Sequence, residues 1–125
     1  MIRGVGIDLM DMGRIPSDMS PDDAFVRRVL TPSEREEQHA HGNPHEYLCS
    51  RFSMKEAAFK ALGQDGDDFS MTDIEILADG IGRPVARLLG KAAQRAQAAG
   101  IRDVLVSISY DDNLVISVAV ADGTA

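Results

Sequence analysis

The chain has 125 residues, 44% of them hydrophobic and 26% charged, a net charge of −7 and a single cysteine. That length suits one domain, since a globular chain near this size buries roughly two-thirds of the surface its unfolded form exposes. The acidic balance excludes a general nucleic-acid binder, no apolar run reaches the roughly 20 residues that cross a membrane, and Cys49 has no internal disulfide partner.

The first segment, Ile2 to Leu9, alternates small and branched apolar residues around Gly4 and Gly6 and reads as a buried strand. Met1 to Met10 lacks the pattern of a signal peptide, because Asp8 interrupts its short apolar run. With one cysteine, the expected setting is a reducing cytoplasm. Asp8 ends the strand and has two readings. It caps a short helix beginning near Leu9-Met10-Asp11, or it presents a carboxylate to a site at the strand's end.

A helical middle follows. Thr31-Pro32-Ser33-Glu34 is a helix start in which Thr31 caps, Pro32 takes the first position and Glu34 reaches back, and Gly42 stops that helix. Asn43-Pro44-His45-Glu46 repeats the signal and opens a helix to Leu62, with Gly63 as its stop. His39, His41 and His45 straddle the break between these helices, so we read them as a solvated loop and not as metal ligands. Cys49 lies among apolar residues and reads as packing.

The second helix is apolar on nearly every side, through Tyr47, Leu48, Phe52, Met54, Ala58, Phe59, Ala61 and Leu62, as a central buried helix is. Yet it carries Arg51, Lys55, Glu56 and Lys60, charges that burial disfavours. Glu56 and Lys60 stand four apart on one face with Ser53 beside them. Such a pair is either a surface ion pair worth a few tenths of a kcal/mol, or part of a site. The acidic turn Asp65-Gly66-Asp67-Asp68 does not follow the calcium-loop spacing.

The second half reads as strands with one helix between them. Asp73 to Ala78 and Val85 to Leu89 flank a turn at Gly82-Arg83-Pro84, and Lys91 to Ala99 is an alanine-rich helix ending at Gly100. Val104 to Tyr110 and Leu114 to Ala121 form a hairpin around Asp111-Asp112-Asn113. Strands and helices do not alternate regularly, so the fold class is α+β. No glycine set makes a phosphate loop or dinucleotide fingerprint, and no serine sits in a nucleophile elbow.

Three segments stand in an order found in one family: Gly4-Val5-Gly6-Ile7-Asp8, then Arg51-Phe52-Ser53-Met54-Lys55-Glu56-Ala57-Ala58-Phe59-Lys60-Ala61-Leu62-Gly63, then Val106-Ser107-Ile108-Ser109. The chain resembles the holo-(acyl-carrier-protein) synthases, the short class of 4′-phosphopantetheinyl transferases, over essentially its whole length. The middle segment carries the family's Phe/Trp-Ser-x-Lys-Glu-Ala/Ser-x-x-Lys motif, and Phe25 to Glu34 and Gly82-Arg83-Pro84 support it. The resemblance implies one phosphopantetheinyl transferase domain over 1–125, a small antiparallel sheet packed with a long central helix, and trimers with active sites between subunits.

It also implies an activity, the Mg²⁺-dependent transfer of 4′-phosphopantetheine from coenzyme A to a serine of an apo acyl or peptidyl carrier protein with release of 3′,5′-ADP, which fits fatty-acid biosynthesis and leaves secondary-metabolite synthesis open. Asp8 and Glu56 would bind Mg²⁺ with the coenzyme A pyrophosphate, and Lys60 would lie near the phosphates. Ser53, Ser109 and Tyr110 are further candidates for coenzyme A contact, and Lys55, on the opposite helix face, either touches phosphate or forms a structural ion pair. Arg14 would help to dock the acidic carrier, with Arg27 and Arg28 as further candidates for that surface. The chain departs from the family at Tyr110, where histidine is usual; tyrosine keeps a ring and a polar tip but carries no positive charge. The competing expectation is a catalytically weak, trimeric module that binds carrier proteins or coenzyme A.

Overall fold

In the computed structural model of this protein, which describes residues 1–63 and 69–124, strand β1 (Ile2–Asp11) edges a three-stranded antiparallel sheet. Its order is β1-β5-β4, and the two C-terminal strands β4 (Ile101–Asp111) and β5 (Leu114–Gly123) form the expected hairpin. Both are longer than the apolar runs suggested. Asp112 sits at φ 54 in the tight turn, a left-handed conformation that a short polar side chain tolerates. The acidic turn at Asp65, Asp67 and Asp68 lies outside the described residues.

Pairing puts Gly4, Gly6, Asp8 and Met10 on one face of the sheet, opposite Ala121, Ala119, Ser117 and Val115. Against this face of small residues lies α3 (Pro44–Ala61), the long helix expected from its flanking signals. Asn43 caps it by accepting from the Glu46 N–H at 3.1 Å, Leu62 forms its C-cap, and Gly63 leaves it at φ 69. Its charge-bearing, all-round apolar sequence is explained by its position, with the sheet on one side and two helices and a second sheet on the others.

The contact between β1 and α3 is backbone on backbone. A methyl group on Gly6 would overlap the Ala57 carbonyl, and one on Gly4 would overlap the Ala61 carbonyl. The two elements run in opposite directions with nearly equal steps. Two strand residues rise about 6.6 Å and four helix residues about 6 Å, so each second residue of β1 meets successive turns of α3. Gly4 therefore faces Ala61, Gly6 faces Ala57, and Asp8 arrives at Ser53.

The opposite side of α3 is covered by α1 (Ala24–Val29) and α2 (Pro32–Ala40), and by a two-stranded sheet of β2 (Ile74–Ala78) and β3 (Pro84–Leu88). Helix α1 is a separate element that the apolar pattern did not isolate. The capping box at Thr31 and Glu34 forms as the sequence predicts, but Glu34 does more than reach back. Its Oε1 accepts from the Thr31 N–H at 2.8 Å and from Lys55 Nζ at 2.7 Å, and its Oε2 from the Ile76 N–H at 2.8 Å. Lys55 also donates to the Val29 carbonyl, and both charges are 0% exposed.

Of the two expectations for Lys55, the structural ion pair is the one that forms, not contact with coenzyme A. Burial pushes its pKa down while Glu34 pushes it back up. The ion pair joins α1, α2, α3 and β2 in one knot. The last helix, α4 (Gly90–Ala98), sends Arg95 to the Leu62 and Gly63 carbonyls at the C-terminal end of α3.

Removing one partner of a buried, hydrogen-bonded ion pair strands the other charge. Lys55→Met is expected to lower unfolding stability by about 3 kcal/mol, read from the urea midpoint at unchanged slope. A loss below about 1 kcal/mol would show that the knot is not what holds these elements together.

Candidate active site

Asp8, Ser53, Glu56 and Lys60 form the one cluster of predicted site residues that folding brings together. Asp8 is not a helix cap; that role falls to Asp11, whose Oδ1 accepts from the Gly13 N–H at 2.8 Å and starts the 3-10 turn Met12–Arg14. Asp8 instead points inward from β1, where its Oδ2 accepts from Ser53 Oγ at 2.9 Å. Glu56 lies three residues beyond Ser53, on the same face of α3. Lys60 Nζ donates to the Ile7 carbonyl at 2.8 Å, the peptide group immediately before Asp8. It is therefore tied to the strand, and among the described residues it forms no close ion pair with Glu56.

The electrostatics agree with this placement. Burial raises the Glu56 pKa first, the Asp8 charge raises it further, and Lys60 opposes both. Two carboxylates held together with one nearby ammonium leave the cluster short of positive charge. Among the described residues no third acid, histidine or cysteine completes a larger ligand group. A pair of protein carboxylates with room for waters and phosphate oxygens is the donor set that Mg²⁺ takes, whereas zinc favours nitrogen and sulfur ligands.

Other predicted site residues stand elsewhere. Ser53 is 0% exposed and spends its hydroxyl on Asp8, so direct contact with coenzyme A is ruled out for it as for Lys55. Ser109 lies on the outer face of the sheet, opposite Ile116. Tyr110 lies one residue before the end of β4 on the inner side, 45% exposed, with Ser50, Glu46 and Arg51 of α3 among its neighbours; burial of part of the ring is the main reason its pKa is raised. Arg14, Arg27 and Arg28 are all exposed, the first on the 3-10 turn and the others in the last turn of α1. Arg27 reaches Asp22 at 3.5 Å.

Two residues matter that sequence reasoning placed differently or overlooked. His45 is not in a solvated loop: its Nε2 stands 3.1 Å from the Met12 carbonyl and 2.7 Å from the Ile15 carbonyl. Both oxygens accept, so that nitrogen carries a proton and holds the turn bearing Arg14 against α3. Ser117 on β5 lies across from Asp8 and 2.7 Å from Ser53 Oγ. A hydroxyl in the alternation of Val115, Ala119 and Ala121 was its only signal. Cys49 is packing, as expected, with its thiol pushed up to about 11 chiefly by burial.

Two clefts of about 800 and 980 Å³ flank the fold, and neither is lined by Asp8, Glu56 or Lys60. Asp8 and Glu56 are half-buried and Lys60 is exposed, so the carboxylate cluster opens at the surface of the subunit.

The family model of the 4′-phosphopantetheinyl transferase superfamily matches residues 4–119. The holo-[acyl-carrier-protein] synthase of Caldanaerobacter subterraneus is 38% identical over 119 residues, 95% of this chain and 94% of that protein. The fatty acid synthase subunit alpha of Schizosaccharomyces pombe is 40% identical over 121 residues, which are 95% of this chain but 6% of that protein. The holo-ACP-synthase of Plasmodium yoelii superposes with a TM-score of 0.86 at 32% identity, covering 100% of this chain and 98% of that one. A holo-(acyl-carrier-protein) synthase from Bacillus anthracis, solved in complex with CoA (3′,5′-ADP), gives a TM-score of 0.79 at 29% identity, covering 99% of each chain.

The raised Glu56 pKa has a consequence for stability. Below the ordinary glutamate pKa, folded and unfolded chains both hold the proton. As the pH rises past that value the unfolded chain ionises first, so stability falls until the raised folded value is passed and stays lower above it. Glu56→Gln is expected to raise the melting temperature of the metal-free protein at pH 7, with the gain vanishing below the ordinary glutamate range. A gain that persists unchanged at low pH would mean that charge is not its cause.

Proposed function

The chain belongs to the holo-(acyl-carrier-protein) synthases of the 4′-phosphopantetheinyl transferase superfamily, and from that premise we propose that it transfers 4′-phosphopantetheine from coenzyme A to a serine of an apo acyl carrier protein, with Mg²⁺. The carrying observation is the meeting of Asp8 and Glu56 beside Lys60. In the reaction the carrier serine oxygen attacks the β-phosphorus of coenzyme A. The bond from that phosphorus to the bridging oxygen breaks, and 3′,5′-ADP leaves with the electron pair. Coenzyme A as donor is supported by the complex of the Bacillus anthracis relative.

Asp8 and Glu56 would hold the cation, which when bound neutralises charge on the pyrophosphate. Lys60, anchored on the Ile7 carbonyl, is set to meet phosphate oxygens with little reorganisation. Glu56 is also the group placed to receive the serine proton, directly or through a water. Exposed Arg14, Arg27 and Arg28 offer positive charge to an acidic carrier on an otherwise acidic chain. The partner, like the cytoplasmic setting, is part of this proposal.

The proposal includes a homotrimer. The outer face of the three-stranded sheet exposes Val5 (62%), Ile7 (56%), Leu9 (62%) and Leu105 (62%) together with Leu114 and Ile116. A continuous apolar face of this kind marks an interface in a water-soluble protein. A second reading, a binding module without efficient catalysis, is favoured only by Tyr110, which brings no positive charge to the N-terminal half of α3.

Incubation with coenzyme A, Mg²⁺ and a panel of apo carriers is expected to add one phosphopantetheine to the mass of a carrier, and chelation to abolish the gain. Lys60→Ala should slow transfer by about 100-fold, the scale of losing one donor aimed at developing negative charge. No mass gain with any carrier, alongside thermal stabilisation by coenzyme A, would leave the binding module. The assembly is tested separately: Leu105→Glu is expected to turn a trimer into monomers in light scattering and to remove transfer activity. A trimer that survives Val5→Glu and Leu105→Glu together would place the interface elsewhere.

A further inference from the structure

Two buried hydroxyls stand behind the carboxylate cluster. Ser53 Oγ donates to Asp8 Oδ2 at 2.9 Å, and Ser117 Oγ lies 2.7 Å from Ser53 Oγ. Ser53 is 0% and Ser117 1% exposed, so protein groups must satisfy both. Each hydroxyl has one proton to give. Ser53 gives its own to Asp8, which as a carboxylate only accepts, so the contact between the serines is made by the Ser117 proton. The order is therefore Ser117 to Ser53 to Asp8.

The three residues come from β5, α3 and β1. Ser117 is the cross-strand partner of Asp8, and Ser53 stands one turn before Glu56. The residues next to Ser117 on its face of β5 are Val115 and Ala119, both buried and apolar. A hydroxyl there is costly to desolvate unless it is bonded, and its partner leads to the site. Donors in series also polarise one another, so the outer hydroxyl strengthens the bond that the inner one makes to the carboxylate.

We propose that Ser117 is a positioning residue that acts through Ser53 to set the orientation of the Asp8 carboxylate for a divalent cation. This rests on the reading of Asp8 and Glu56 as the groups that hold the cation. Ser53 holds Oδ2, which restrains rotation of the carboxylate and leaves the other oxygen of Asp8 for the cation. The relay does no chemistry of its own and touches neither substrate nor reacting atoms.

The test is binding of Mn²⁺, as a paramagnetic stand-in for Mg²⁺, to the full chain with saturating coenzyme A and no carrier. Free Mn²⁺ is read by electron paramagnetic resonance, so turnover plays no part. Ser53→Ala is expected to weaken Mn²⁺ about tenfold, the lower end of outer-shell losses around metal sites, and Ser117→Ala, one bond further from the metal, by less, about threefold. The double variant should match Ser53→Ala alone, because Ser117 reaches Asp8 only through Ser53. In transfer assays with the carrier, Ser117→Ala should raise the Mg²⁺ concentration for half-maximal rate and leave kcat near wild type at saturating metal. Ser117→Ala removes one oxygen and keeps the test open if Ser53→Ala does not fold.

Asp8→Asn separates the outcomes. If it abolishes Mn²⁺ binding while both serine variants bind as wild type, the hydroxyls only pack and the relay is overturned, with the cation site intact. If Ser117→Ala weakens binding further in the Ser53→Ala background, the route through Ser53 is wrong. If Asp8→Asn binds Mn²⁺ as tightly as wild type, the cation site itself falls and the relay with it.

Discussion

The backbone of β1 lies directly on the backbone of α3, and the rest of the molecule is arranged to permit it. Only glycine at positions 4 and 6 allows the Ala57 and Ala61 carbonyls so close, and the facing β5 residues Ala119 and Ala121 are correspondingly small. Helix and strand at this separation have no freedom to slide, because interiors are close-packed and tolerate little change of volume. Asp8 is the next inward residue after the two glycines and therefore arrives at a defined turn of the helix. A carboxylate from a strand and one from a helix thus meet by backbone geometry.

Beyond Glu46 in its first turn the helix carries four charges, and its position explains why each is tolerated. Arg51 donates Nε to the Ile76 carbonyl at 2.9 Å and Nη2 to Glu37 at 2.8 Å, and its guanidinium lies 4.1 Å from the centre of the Tyr47 ring. Lys55 is enclosed with Glu34. Glu56 and Lys60 lie on the side turned toward β1, where the sheet ends and water enters. Adjacent residues on a helix point roughly 100° apart, so Lys55 and Glu56 serve opposite purposes. The lysine fastens the far side of the helix, and the glutamate faces the site. Firm attachment on the far side keeps the near side in place, which matters for a reaction governed by positioning and charge stabilisation.

Much of the fold was legible along the chain, because its signals are local. Thr31 with Glu34, Asn43 with Pro44, and Gly63 and Gly100 mark helix ends through bonds made within a few residues. The hairpin at Asp112 and the alternation in β2 are equally local. Helix α1 was harder to isolate because it is short and buries only Val26 and Val29, too little apolar pattern to set it apart. His45 was misplaced for a related reason. Its partners are the carbonyls of Met12 and Ile15, some thirty residues earlier, and carbonyls leave no mark in sequence.

The site divides along the same line. Sequence alone singled out the candidate residues, Asp8 on the first strand and Glu56 and Lys60 one helical turn apart, and the motif that joins them to a family; it ended the strand too early, since β1 continues past Asp8 to Asp11. It could not sort Ser53 and Lys55 from their neighbours, because all lie within one short motif and differ only in the direction each side chain takes. Tertiary structure decided that Lys55 is an internal anchor, that Ser53 serves Asp8, and that Ser117, more than sixty residues further on, stands behind both. The physical reason is range. Caps and helical periodicity arise from bonds between near neighbours, whereas the partner of a buried charge or hydroxyl is chosen by the packing of strands and helices far apart in the chain.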